Sequence, residues 1–146
     1  MSATAERDDP FLSFRFEIRF DGKTEGGFSE CSGIQVETEV QEFAEGGLNT
    51  HLHKFVTRSK QSNITLKRGI VDDTLWQWHN ELVQGLISYR NGTILVRDPS
   101  GGDVVMEWQF WRAFPSKFIG PELNAGQSSV AVETLELCHH GLERIK

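Results

Sequence analysis

No apolar run in this chain approaches the roughly 20 residues that a membrane-spanning helix needs. No block of five like charges occurs either, and membrane insertion by the chain itself is not expected. Basic residues are in deficit: 15 Lys and Arg stand against 21 Asp and Glu, a formal charge of −6. Nucleic-acid binding normally needs the opposite sign, clustered on one face, so nucleic acid is not an expected partner. The two cysteines, Cys31 and Cys138, lack metal-ligand spacing. They read as free thiols in a reducing compartment, with a single disulfide as the alternative. The first ten residues, Met1 to Pro10, are polar and mostly acidic without an apolar stretch. The expectation is a polar tail without a signal peptide, on a protein assembled in the cytoplasm.

Catalytic signatures are missing as well. Neither Gly-X-Ser-X-Gly nor a phosphate-cradling glycine loop occurs. Ser29-Glu30-Cys31-Ser32-Gly33 has a nucleophile-like look but no histidine that sequence logic brings to it. His51-X-His53 could share a strand face, yet a third metal ligand is not evident. His139 and His140, being adjacent, would point to opposite faces of a strand. Asp72-Asp73 reads more simply as a helix cap than as an acid–base pair. Trp76, Trp78, Trp108 and Trp111 read as core packing in preference to an aromatic ligand box. The expectation is therefore no enzyme, no cofactor and no metal.

What is present is mostly strand. Phe14 to Phe20 alternates apolar and charged residues, the period of a strand with one wet face. Ile34 to Gln41 alternates too, and its polar face carries Gln35, Glu37, Glu39 and Gln41. Phe28 to Ser32 and Asn63 to Arg68 make further strands. Residues 43 to 60 hold few core candidates, and Gly46-Gly47 suggests the tip of a projecting hairpin. One helix is signalled after Asp72-Asp73, with Leu75, Trp78, His79 and Leu82 as its apolar stripe. Trp76 and Val83 are expected to widen that stripe, and Gly85 to stop it. Arg90 to Asp98 and Val104 to Arg112 are strands joined by a turn at Pro99 to Gly102. Residues 114 to 121 read as a kinked connection. Val130 to His139 reads as a long strand whose apolar phase changes near Thr134, as a bulge would produce. The sum is a single domain, 1–146, mainly β: a small barrel or sandwich of about six to eight strands with one helix packed on it.

Three stretches in order carry a family resemblance. The first is Gly27 to Gly33 followed by the Glu-rich strand and Glu45-Gly46-Gly47-Leu48-Asn49-Thr50. The second is Asn63 to Gly69 leading into Leu75-Trp76-Gln77-Trp78. The third is Trp111 to Phe118, then Gly120 to Gly126 and Val132 to Leu137. Over roughly residues 10 to 144 the chain resembles the T4-like phage tail tube family, especially members from extracellular contractile injection systems. The resemblance implies subunits that form hexameric rings with a continuous β-barrel lumen, stacked into a hollow tube inside a contractile sheath. Implied partners are other copies of the chain, sheath, baseplate and tube-cap proteins, and effector cargo. Under it, Gln35, Glu37, Glu39, Gln41 and Glu133 are expected to face the lumen, as acidic walls. Glu45, Gly46, Gly47, Leu48, Asn49, Thr50, His51, His53 and Lys54 are expected to form an arm to neighbouring subunits. Two rivals are a tube-initiating paralogue of the same family and a monomeric ligand-binding β-barrel, which would need an apolar cavity.

Overall fold

The computed structural model describes residues 15–44, 52–100, 102–126 and 131–146. Within them are ten strands and one helix: β1 (Arg15–Phe20), β2 (Lys23–Glu25), β3 (Phe28–Ser32), β4 (Val36–Phe43), β5 (His53–Gln61), β6 (Ile64–Gly69), α1 (Thr74–Val83), β7 (Arg90–Arg97), β8 (Val104–Ile119), β9 (Val132–Cys138) and β10 (Leu142–Arg144). Eight strands make one antiparallel sheet in the order β2-β1-β7-β8-β9-β6-β3, with β10 added on β8. β4 and β5 form a separate two-stranded sheet.

Period-two alternation builds the core. Ile18 and Phe20 from β1, Ile64 and Leu66 from β6, Ile94 from β7, Phe110 and Ala113 from β8, and Leu135 and Leu137 from β9 are all buried. Helix α1 adds Leu75 and Trp78 from one stripe. The rings of Trp78 and Phe110 meet Phe20 edge-on, at centroid distances of 5.2 and 6.1 Å. Gly92 on β7 is dictated by this packing, because a Cβ there would lie 1.9 Å from the Phe110 ring. The helix ends where Gly85 takes φ +95°. The Leu86 N–H reaches Glu81 O and the Gly85 N–H reaches Leu82 O, the paired bonds of a left-handed helix stop. At the other end, the Asp72 carboxylate accepts from both the backbone N–H and the hydroxyl of Thr74. Those two bonds, the hydroxyl first, hold the Asp72 carboxyl below its ordinary range, with the Arg68 charge adding to them.

Three expectations need correction. Residues 114 to 119 are not a connection but the second half of β8, which runs unbroken to Ile119. The strand turns a corner instead: Arg112 has φ +49°, and the register with β7 slips between Asn91's neighbours. A second slip, between Pro115 and Lys117 against β9, accommodates a proline that cannot donate to the ladder. β8 thereby pairs with β10 before the corner, with β7 as far as Ala113, and with β9 from Phe114 onward. Nor is there a bulge near Thr134. β9 keeps an unbroken register with β6, and Glu133, Leu135 and Leu137 share one buried phase. The apparent phase change is a carboxylate sitting at a core position. Finally, Trp76 and Val83 do not join the buried stripe. Trp76 packs edge-on against Phe118 at 5.3 Å, and Val83 stays exposed.

Glu133 lies directly opposite Arg68 on β6, whose side chain is only 1% exposed. Arg68 Nε donates to Glu133 at 2.7 Å, and Nη2 donates to Asp72 at 2.8 Å and to the Thr74 hydroxyl at 3.2 Å. Nη1 lies 3.5 Å from the Gly26 carbonyl and 3.7 Å from the Glu25 carboxylate. The Phe28 ring covers the guanidinium at 5.4 Å. One cation thus ties together β6, β9, the start of α1 and the β2–β3 link at the two ends of the sheet. Removing one partner of a buried pair leaves the other uncompensated, so Arg68→Met or Glu133→Gln should each lose about 3–5 kcal/mol in urea unfolding. The double change Arg68→Met/Glu133→Leu should cost much less than the sum, and an additive result would show that the pair is not coupled.

Candidate assembly surface

Gln35 and Ser62 mark the root of the β4–β5 hairpin: the Ser62 N–H donates to the Gln35 carbonyl at 3.3 Å. The chain therefore leaves the core and returns to it at one point. Between them, β4 and β5 pair in register from Val36 opposite Gln61 to Phe43 opposite His53. A slip after Glu39 leaves Thr57 as the extra residue, and its hydroxyl donates to the Glu39 carbonyl at 3.1 Å. No residue of either strand belongs to the core cluster. Val36, Val40, Phe43, Phe55 and Val56 are all large, apolar and exposed, Val56 by 74%.

Strand alternation sorts the hairpin into two faces. One carries Glu37, Glu39, Gln41 and Phe43 with their cross-strand partners Lys60, Arg58, Phe55 and His53. The other carries Val36, Thr38, Val40 and Glu42 with Gln61, Ser59, Val56 and Lys54. The hairpin was expected to begin at Phe43, with the Glu-rich strand as a separate wall. It begins instead at Val36, and the Glu-rich strand is one of its two legs. The expected acidic wall is corrected with it, since β5 sets a cation opposite each carboxylate. Glu39 pairs with Arg58 at 2.6 Å and Lys60 at 3.0 Å. These bonds, Arg58 first, hold the Glu39 carboxyl below its ordinary range.

The remaining expected site residues separate. Glu133 is 4% exposed and turned inward to Arg68, so it cannot face a lumen. Gln35 lies exposed beside the hairpin root. Glu45, Gly46, Gly47, Leu48, Asn49, Thr50 and His51 lie outside the described residues, while His53 and Lys54 open β5. The signal that sequence reading passed over was the pair of cations Arg58 and Lys60, which is legible once β5 is set against β4.

Chemistry finds little footing elsewhere. Among the described residues no group of three or more His, Cys, Asp or Glu could hold a metal. Both cysteines are free, and burial pushes the Cys31 thiol up to about 12, far from a thiolate. The neighbouring Ser29 hydroxyl donates to the Lys67 carbonyl on β6. Asp73 accepts from the Gln77 side chain within the helix. His139 lies between the carbonyls of Gly141 and Ser62, and His140 against that of Arg112. The tryptophans do not converge: Trp78 is buried with its N–H on the Ser88 carbonyl, and Trp76 is at the surface. A cleft of about 330 Å³ is walled by Phe20, Asp21, Lys23, Glu25 and Arg90, charged where an apolar ligand would need grease. No helix of the described residues is long and apolar enough to cross a membrane.

A closed core carrying an ordered ribbon with exposed apolar and charged side chains is the form of an assembly subunit. Residues 12–143 match the family model of the T4-like virus tail tube protein gp19, and the chain belongs to that family. Its fold is similar to that of the sheath/tube terminator of the extracellular contractile injection system PVC in the extended state. That match has 23% identity and a TM-score of 0.85, covering 95% of this chain and 99% of that one. The PVC sheath-tube complex gives 23% identity and a TM-score of 0.83, over 94% and 92% of the two chains. Hcp1 from Flavobacterium johnsoniae shares the fold more distantly, at 12% identity and a TM-score of 0.56, over 89% and 94%. No curated protein matches.

The Glu39 carboxyl supplies a direct check on the charged face. Its depressed pKa contributes stability above its ordinary value of 4.5, which is lost as pH falls through the lower folded-state value. In NMR titration Arg58→Ala should move the Glu39 midpoint upward, towards 4.5. An unmoved midpoint would show that the pair does not form in solution.

Proposed function

We propose that this protein is a structural subunit of the inner tube of a contractile, phage-tail-like injection machine, and that it performs no catalysis. The observation that carries this reading is the ordered β4–β5 hairpin, bare of core contacts, on a chain that belongs to a tail tube family. Copies close into hexameric rings that extend the sheet from subunit to subunit, and the rings stack into a hollow tube. Sheath, baseplate and cap proteins are its partners in the particle, which assembles in the cytoplasm, and effector cargo travels through the lumen. The hairpin face of Glu37, Glu39 and Gln41 lines that lumen together with Arg58 and Lys60, next to Gln35. The tip, residues 45 to 51, with His53 and Lys54, reaches neighbouring subunits. A wall balanced in charge has a weak net field, which lets polypeptides of either sign pass without tight adsorption.

A tube-terminating or tube-initiating paralogue is the second reading, favoured by the likeness to a sheath/tube terminator structure. Purified protein viewed by negative-stain electron microscopy separates the readings. Long hollow tubes support the tube subunit, isolated rings support the paralogue, and a strictly monomeric protein at high concentration sinks both. Because Gln35 and Ser62 are already bonded, residues 37 to 60 can be replaced by a short Gly-Ser turn. That variant should keep the near-ultraviolet spectrum of a packed core while forming no rings. Its unfolding would show instead that the hairpin is part of the folding unit.

A further inference from the structure

The hairpin's charges are segregated by strand. β4 carries three carboxylates, Glu37, Glu39 and Glu42, and no Lys or Arg. β5 carries three cations, Lys54, Arg58 and Lys60, and no Asp or Glu. In the register each carboxylate faces a cation: Glu37 opposite Lys60, Glu39 opposite Arg58, Glu42 opposite Lys54. Among the described residues neither outer edge of this two-stranded sheet has a ladder partner. The hairpin therefore offers an acidic edge strand on one side and a basic edge strand on the other.

We infer that the occupant of each edge is a second copy of this chain, with β5 of one subunit pairing antiparallel to β4 of the next under selection by these opposite charges. The inference rests on the tube reading and adds to it the rule that sets subunit order. Two copies meeting edge to edge have three choices. Joining β4 to β4 sets carboxylates against carboxylates, and joining β5 to β5 sets cations against cations, both of which are unfavourable across a ladder. Joining β5 to β4 repeats the pairing already made inside the hairpin. The first two contacts are self-complementary and stop at a dimer, whereas the third leaves one edge of each kind free and repeats until a ring closes. Segregated charge thus rejects the dead-end dimers as well as favouring the ring.

The test exchanges the two charge sets in the full-length protein. The variant Glu37→Lys/Glu39→Lys/Glu42→Lys/Lys54→Glu/Arg58→Glu/Lys60→Glu keeps every cross-strand pair inside the hairpin opposite in sign. It should assemble by itself as the wild type does. Mixed with isotope-labelled wild type and read by native mass spectrometry, it should sort: junctions between the two kinds should fall at least about tenfold below the statistical number. Statistical mixing would overturn the inference while leaving the tube reading intact. Should the exchanged protein fail to fold by circular dichroism, the wild type decides. Its critical concentration for assembly should rise from about 0.05 to 1 M salt as the charges are screened. An unchanged or falling value overturns the inference. A wild type that never assembles defeats the tube reading itself, and this rule with it.

Discussion

A guanidinium buried at the meeting point of four chain segments constrains the whole molecule. Arg68 is withdrawn from water, so its donors must be met by protein, and the ones it finds lie on β9, at the start of α1 and in the β2–β3 link. The desolvation cost of such a charge is recovered only when those partners hold their geometry together. The curl of the sheet, the first turn of the helix and the register of β6 against β9 are therefore coupled. An eight-stranded sheet with two free ends could lie open. Here Gly26 and Glu25 from one end are drawn to an arginine near the other.

That rigidity is what allows the hairpin to be so bare. The apolar core is completed by β1, β6, α1, β7, β8 and β9 without a single residue of β4 or β5. Residues of the hairpin are then free to be chosen for faces and edges, with large apolar and charged side chains left exposed. The Phe43, Phe55 and His53 rings cluster near its far end, with Phe43 and Phe55 centroids 6.3 Å apart. They stiffen the ribbon against itself, not against the body of the protein.

Much of this architecture was legible in the chain. The strands read in 15–20, 36–41 and 64–68, the helix with Leu75 and Trp78, and the turn after Arg97 all correspond to observed elements, because local period and turn chemistry dictate them, although the expected Asp73 side-chain cap does not form. Misreadings arose where one residue served a long-range purpose. Glu133 occupies a core position for the sake of Arg68, which is far away in sequence, and so mimicked a bulge. Pro115 lies in a strand because a register slip accommodates it, and so mimicked a break. The Glu-rich strand looked like an acidic wall because its cationic partner strand begins ten residues after it ends. The mechanical role, by contrast, was not readable from composition or spacing. It depended on the order of motifs shared with the tail tube family.

The single hydrogen bond between Gln35 and Ser62 has a kinetic consequence for growth. An isolated two-stranded ribbon is marginally stable in water. Tethered at one root and, among the described residues, adding none to the core cluster, this hairpin relies mainly on its own cross-strand pairs. In the proposed tube, free subunits thus meet the entropy of alignment at the moment of docking, whereas a growing end already presents an aligned template. Such an arrangement makes the first ring slow to appear and every later addition fast. Length control then falls to whatever starts and stops the template, and the subunit itself needs no ruler.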